Sequence, residues 1–240
     1  TSALPISRAA GSALLSWTLW LAGEREAAFK AGGEALARAD AVDHPHSRAY
    51  VAYYAAVLAA LEGLFEEASG HARRCLELCE EHGFEQWRGL ARAVIGIAEL
   101  RHGSDTAGES LAAVTDALAQ YQSSGYQLGI TALYVMLAPA LLDAGFAQRA
   151  GELVDAGLVT AERNDERIFE AELHRLKAAW RRALGADATD PDVVDLLTRA
   201  VDIARAQGAR RLERRAARDL APSRGIGPAP VATPVERTGS

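Results

Sequence analysis

Residues 45–83 read PHSRAYVAYYAAVLAALEGLFEEASGHARRCLELCEEHG. Gly63 closes an apolar helical stretch in this segment, and Gly83 closes the amphipathic stretch that follows. A glycine just past a helix end supplies the left-handed backbone that a helix stop needs. The pattern extends outward in both directions. Gly23, Gly63, Gly103, Gly145 and Gly185 are spaced by 40, 40, 42 and 40 residues. A second set of breaks falls between them, at Asp43, Gly83, Gly125, Asn164-Asp165 and Gly208. Each unit of about forty residues therefore predicts two helices of roughly 16 to 20 residues joined by short turns.

Columns through the repeat agree with this spacing. Seven residues before each turn glycine stand Ser16, Ala56, Gly96, Ala138 and Ala178. Five residues after it stand Ala28, Ala68, Gly108 and Ala150, and twelve after it Ala35, Cys75, Thr115 and Gly157. Small residues at fixed places on both helices let two axes approach closely, as stacked hairpins require. In the fifth unit the turn is longer, and Asp190 reads as an N-cap with Pro191 at the first helical position. The fold expected is an all-α solenoid of about five antiparallel helical hairpins plus a terminal helix.

The edges are predicted from breakers. Residues 1–6 read as a residual linker with Pro5 as a break, and residues 7–220 as the repeat domain. Residues 221–240, APSRGIGPAPVATPVERTGS, hold four of the eight prolines and no apolar period, so no regular structure is expected there. Pro139, inside the expected helix 127–144, predicts a kink.

Composition sets limits on function. The 240 residues are 49% hydrophobic and 24% charged, with a formal charge of −6. Alanine supplies about a fifth of the chain, which suits helices. An acidic chain is a poor candidate for nucleic acid or anionic membranes, and two Cys cannot build a disulfide scaffold. No apolar run reaches the ~18 residues of a membrane span, and no signal peptide is expected. With no initiator Met, the chain is expected to be a cytoplasmic fragment of something longer. Lys30 and Lys177 are each followed by Ala, which excludes a Gly-Lys-Ser/Thr phosphate loop. HExxH, CxxC, GxSxG and GxGxxG motifs are absent too. No enzyme activity and no cofactor are expected.

Small residues at those three columns resemble the tetratricopeptide repeat, a right-handed solenoid, although its usual period is 34 and it closes the second helix with Pro. Here Asp40, Glu80, Gln120 and Glu162 stand at that place, so the second helices are longer. A closer resemblance rests on four stretches. They are residues 16–21 (SWTLWL), residues 81–84 (EHGF) followed by Trp87, residues 170–177 (EAELHRLK) and residues 204–210 (ARAQGAR). These are similar to the C-terminal helical-repeat region of large bacterial regulators. Such regulators carry an NTPase module, often after a class III nucleotidyl cyclase or beside a LuxR-type or winged-helix DNA-binding domain. The resemblance covers roughly residues 10 to 220. It implies a non-catalytic interaction and regulatory module whose partners are other domains of the parent, or a protein or peptide. A small-molecule effector held in the concavity is the alternative.

In tetratricopeptide-like stacks the first helix of each pair lines the concave surface. That likeness places Trp17, Trp20, Tyr50, Tyr53, Leu90 and Ile97 on the inner wall of the first three repeats. In the fifth it places Glu172, Arg175 and Arg182 there. The wall would be aromatic at one end and charged at the other. Two outcomes stay open: an open groove, or tighter curling that buries these residues as core.

Other clusters have plainer readings. His71, Cys75, Cys79 and His82 share a stripe, but His71 and His82 lie roughly 16 Å apart along a helix, too far for one metal ion. Cys79 aligns with Ala39, Ala119 and Ala161 and reads as a packing residue. Glu170 and His174, one turn apart, read as an intrahelical hydrogen bond or a contact to the next repeat. Arg210, Arg214 and Arg218 share a face interrupted by Glu213 and Asp219 and without interleaved aromatics, which favours a solvated face or domain interface over nucleic acid.

Overall fold

A computed structural model describes residues 3–42, 44–101, 107–123 and 129–224. Among them are eleven α-helices: α1 (Ala3–Leu21), α2 (Arg25–Val42), α3 (Pro45–Glu62), α4 (Phe65–His82), α5 (Glu85–Arg101), α6 (Ala107–Ser123), α7 (Ile130–Asp143), α8 (Ala147–Arg163), α9 (Glu170–Ala183), α10 (Pro191–Ala206) and α11 (Arg210–Leu220). The two helices of each hairpin pack on each other, α1 on α2 through α9 on α10, and the odd-numbered helices also pack on one another, α1 on α3, α3 on α5, α5 on α7 and α7 on α9. This is the expected helical-repeat solenoid.

The turn glycines act as the spacing predicts. Gly23, Gly63, Gly145 and Gly185 have φ of +87°, +85°, +83° and +99°. At each, the glycine N–H and the next N–H reach back to the last turn of the helix. At Gly63 these bonds are Gly63 N to Ala60 O, 3.0 Å, and Leu64 N to Ala59 O, 2.9 Å. Asp165, φ +52°, takes the same role after α8, since a short polar side chain tolerates this backbone. Gly103, Gly125 and Asp43 lie outside the described residues. Asp190 caps α10 by accepting from Asp192 N at 2.9 Å and Val193 N at 3.3 Å.

The small-residue columns hold, with one correction. Ala28, Ala68, Ala150, Ala35 and Cys75 are fully buried, but Gly108 and Thr115 are exposed. The longer 42-residue interval explains this. Its two extra residues fall after Gly103 and before α6 packs, so the column positions become Ser110 and Ala117, which are buried. The same shift replaces exposed Ala119 with buried Tyr121 opposite Cys79 and Ala161. At Gly157 the requirement for a small residue is steric: a Cβ there would collide with Leu173 and crowd Tyr134.

Two edges differ from expectation. α1 begins at Ala3, so Pro5 sits in its first turn, where the missing N–H costs nothing. Ala221–Arg224 form a 3₁₀ turn at the start of the expected tail, and residues 225–240 lie outside the described residues. Pro139 lies inside a helix as expected, α7, which runs on to Asp143.

α7 is buried on nearly every side, from Ile130 to Leu141 with Pro139 the exception, and reads as apolar all round for that reason. Its N-terminus is capped from a distance. The buried Glu166 carboxylate accepts from Gly129 N at 3.0 Å, Thr131 N at 3.1 Å and the Thr131 hydroxyl. Residues 167–169 then form a 3₁₀ turn that feeds α9.

Candidate functional site

The two ends of the stack meet. α11 returns to touch α1. Arg211 lies over the Trp20 ring at 4.8 Å and forms an ion pair with Glu62, 149 positions away in sequence. Arg214 reaches the Gly23 carbonyl oxygen at 3.4 Å. Glu62 is the junction: it also accepts from Trp20 Nε1 at 2.9 Å and from Arg25 Nε at 2.5 Å. Burial pushes the Glu62 carboxyl up, but these hydrogen bonds and the Arg211 charge outweigh it and hold its pKa below the usual range.

One part of the interior is filled by an aromatic seam. Trp17 packs on Tyr54 at 4.6 Å, Tyr54 stacks on Tyr50 at 4.5 Å, and Trp87 meets Tyr50 at 5.3 Å and Tyr53 at 5.5 Å. Trp17 also touches Phe169 at 6.3 Å, which joins the first repeat to the fifth. The polar tips are mostly anchored. Trp17 Nε1 donates to Tyr54 O at 3.0 Å and Trp87 Nε1 to His46 Nε2 at 3.1 Å. The Tyr53 hydroxyl is buried with no hydrogen-bond partner.

The charged part borders a half-open cavity of about 510 Å³. Its apolar wall is Trp20, Phe65, Val135, Met136, Pro139 and Phe169. Its polar wall is Arg101, Arg211, Arg214, Arg215 and Arg218 with Glu62 and Glu172. Glu172 is 3% exposed and holds two guanidinium groups. Arg175 donates to both its oxygens at 2.7 and 3.0 Å, and Arg215 pairs with it at 3.0 Å. Burial raises the Glu172 pKa, yet Arg175 and Arg215 more than reverse this, so it stays ionised. Arg175 also pairs with Asp219 at 2.7 Å. Burial lowers the Arg215 pKa, and neighbouring Arg175 and Arg211 lower it further, beyond what Glu172 restores.

Of the inner-wall residues expected from sequence, Trp20 and Glu172 line this cavity, and Arg175 braces it from behind. Trp17 and Tyr50 belong to the aromatic seam and are half-buried. Tyr53, Leu90 and Ile97 are core residues with no surface to offer. Arg182 is exposed on α9 and is not among the cavity residues. Of the alternatives left open, burial as core is what Tyr53, Leu90 and Ile97 show. Sequence reasoning missed Glu62, Arg101 and the inward turn of Arg211, Arg214, Arg215 and Arg218. No local signal marks them, because their partners are remote in the chain.

The remaining clusters stay structural. Cys75 and Cys79 are buried free thiols with sulfurs 3.9 Å apart, and that contact together with burial pushes Cys75 up. Among the described residues no group of three or more His, Cys, Asp or Glu could hold a metal ion. Glu170 pairs with Arg167 at 3.3 Å, leaving His174 buried, its Nδ1 without a hydrogen-bond partner. No described helix is long and apolar enough to cross a membrane.

No protein-family model matches the chain. It is 29% identical over 210 residues to an uncharacterized protein of Rhizobium meliloti (strain 1021). That similarity covers 88% of this chain and 20% of the relative, so the chain spans about a fifth of the length of the curated protein it matches.

Proposed function

We propose that this chain is a non-catalytic regulatory module of a longer bacterial signalling or transcriptional regulator, and that it senses a small-molecule effector in its central cavity. The observation that carries this is the cavity's position across the closure. Its wall draws on α1, α3, α5, α7, α9 and α11, the beginning and the end of the stack. A molecule bound there touches both ends at once and favours the closed ring over any opened form by its differential affinity. Its volume falls within the range of ~300 to 1,000 Å³ usual for ligand sites. Other domains of the parent protein are the partners that would read the closure. Four of the five arginines of α11 line this cavity, which speaks against a flat nucleic-acid surface.

A thermal-shift screen of neutral, cationic and anionic metabolites tests this. At 100-fold excess over Kd a ligand stabilises by about 2.7 kcal/mol. Leu61 also lines the cavity, and enlarging it with Leu61→Trp should abolish the stabilisation. If no class stabilises the chain, the sensing role is wrong.

A further inference from the structure

We infer that the central cavity recognises an oxyanion carried on a flat apolar body, such as an aromatic phosphate, sulfonate or carboxylate. This rests on the cavity being the effector site. The charge of the wall is the first reason. The whole chain has a formal charge of −6, yet the cavity wall carries five arginines against two glutamates. Including the nearest partners does not remove the imbalance. Arg25 and Arg175 join the cationic side, and Asp143 on Arg101 and Asp219 on Arg218 join the anionic side. An excess of three positive charges remains.

The second reason is that both wall carboxylates are already committed, whereas Arg214 has no carboxylate partner and Arg218 only a long contact at the exposed rim. Glu62 is held by Trp20, Arg25 and Arg211, and Glu172 by Arg175 and Arg215. Arg214 has no carboxylate within ion-pairing distance among the described residues; its printed partner is the Gly23 carbonyl oxygen, at 3.4 Å. Arg218 is largely exposed and meets Asp219 at 3.6 Å. Arg211 Nε is buried without an acceptor. Guanidinium groups are planar forks that match carboxylate, sulfonate and phosphate oxygens in pairs. Crowding of Arg215 by Arg175 and Arg211 adds to the demand for a negative charge.

The third reason is the opposite wall. Phe65 and Pro139 are half-buried there and offer no hydrogen-bonding side chain, so they suit a flat apolar surface. A bare inorganic anion would satisfy the arginines and leave that wall uncovered. The class of ligand is therefore amphipathic, with its charged end toward Arg214 and Arg218.

The test uses a matched pair of fluorescent probes on the full chain. 8-Anilinonaphthalene-1-sulfonate carries the anion, and N-phenyl-1-naphthylamine is the same aromatic body without it. The sulfonate should bind saturably at one site at least tenfold more tightly than the neutral amine, and inorganic pyrophosphate should displace it. Arg214→Gln with Arg218→Gln should weaken the sulfonate at least tenfold, leave the amine unchanged and leave the melting temperature unchanged. Equal affinity for the two probes, both abolished by Leu61→Trp, would overturn the anion preference and keep the cavity as a ligand site. Sulfonate binding that ignores the double variant would likewise overturn it. If neither probe binds, both readings fall.

Discussion

The aromatic seam of the first three repeats and the charged wall of the last ones occupy matching places on the inner helices, yet they hold the ring together differently. In the seam, stacked rings fill space and leave almost no room. In the charged part, guanidinium groups bridge carboxylates across a gap, and a cavity of about 510 Å³ remains. Rings gain stability from close contact over area. Buried ion pairs gain it only if every charge stays partnered. The seam should therefore tolerate loss of polar atoms and resist loss of volume, and the charged part should show the reverse.

The largest effect is expected at Glu172. Glu172→Ala strands Arg175 and Arg215 in a buried site and should cost about 3–5 kcal/mol. Thermal denaturation followed by circular dichroism measures this, and a loss under about 1 kcal/mol would show that water reaches the site freely. Next is Tyr53→Ala, expected to cost about 3 kcal/mol, or a melting temperature lower by roughly 6–12 °C. Tyr53→Phe sharpens the contrast. Its hydroxyl has no partner, so removal should leave stability equal or higher. If Tyr53→Phe destabilises as much as Tyr53→Ala, the seam depends on a polar contact and the comparison breaks.

Arg211→Gln comes third. It removes the Glu62 ion pair and the stacking on Trp20 that join α11 to the first repeats. The cost expected is about 1–2 kcal/mol, since the pair is only partly buried. A larger radius of gyration by small-angle scattering would report the opened ring, and an unchanged profile would locate the closure elsewhere, at Trp17 and Phe169.

The smallest effect is a pH dependence. Burial holds the imidazoles of His46, His71 and His174 below their ordinary pKa of 6.5, with His44 adding to this at His46 and Arg199 at His174. Unfolding therefore takes up protons, so stability is complete above about pH 6.5 and declines as pH falls below it. His46 accepts the Trp87 N–H, and its protonation removes that acceptor. Melting temperatures at pH 7.5, 6.5 and 5.5 should fall in that order. A flat profile would mean the three histidines are as protonatable folded as unfolded.

The helix ends were legible because they obey local rules. A residue such as Gly63 that must take φ near +85° is recognisable in any context. The same holds for Asp190 before Pro191. The count of forty placed the small residues, and it slipped only where two residues enter between Gly103 and α6. The candidate site was half legible: the aromatic-to-charged gradient is written in the inner helices, but Trp17, Tyr53 and Leu90 could equally have faced a groove.

What the sequence determined by itself is therefore the repeat, its turns and which face of each helix is small or apolar, because those follow from interactions within a few residues. What only the tertiary structure decided is the closure, with Arg211 on Glu62, Trp17 against Phe169, and a cationic cavity between them. Curvature accumulates from small packing angles at every interface between hairpins, so no single position states whether the ends will meet.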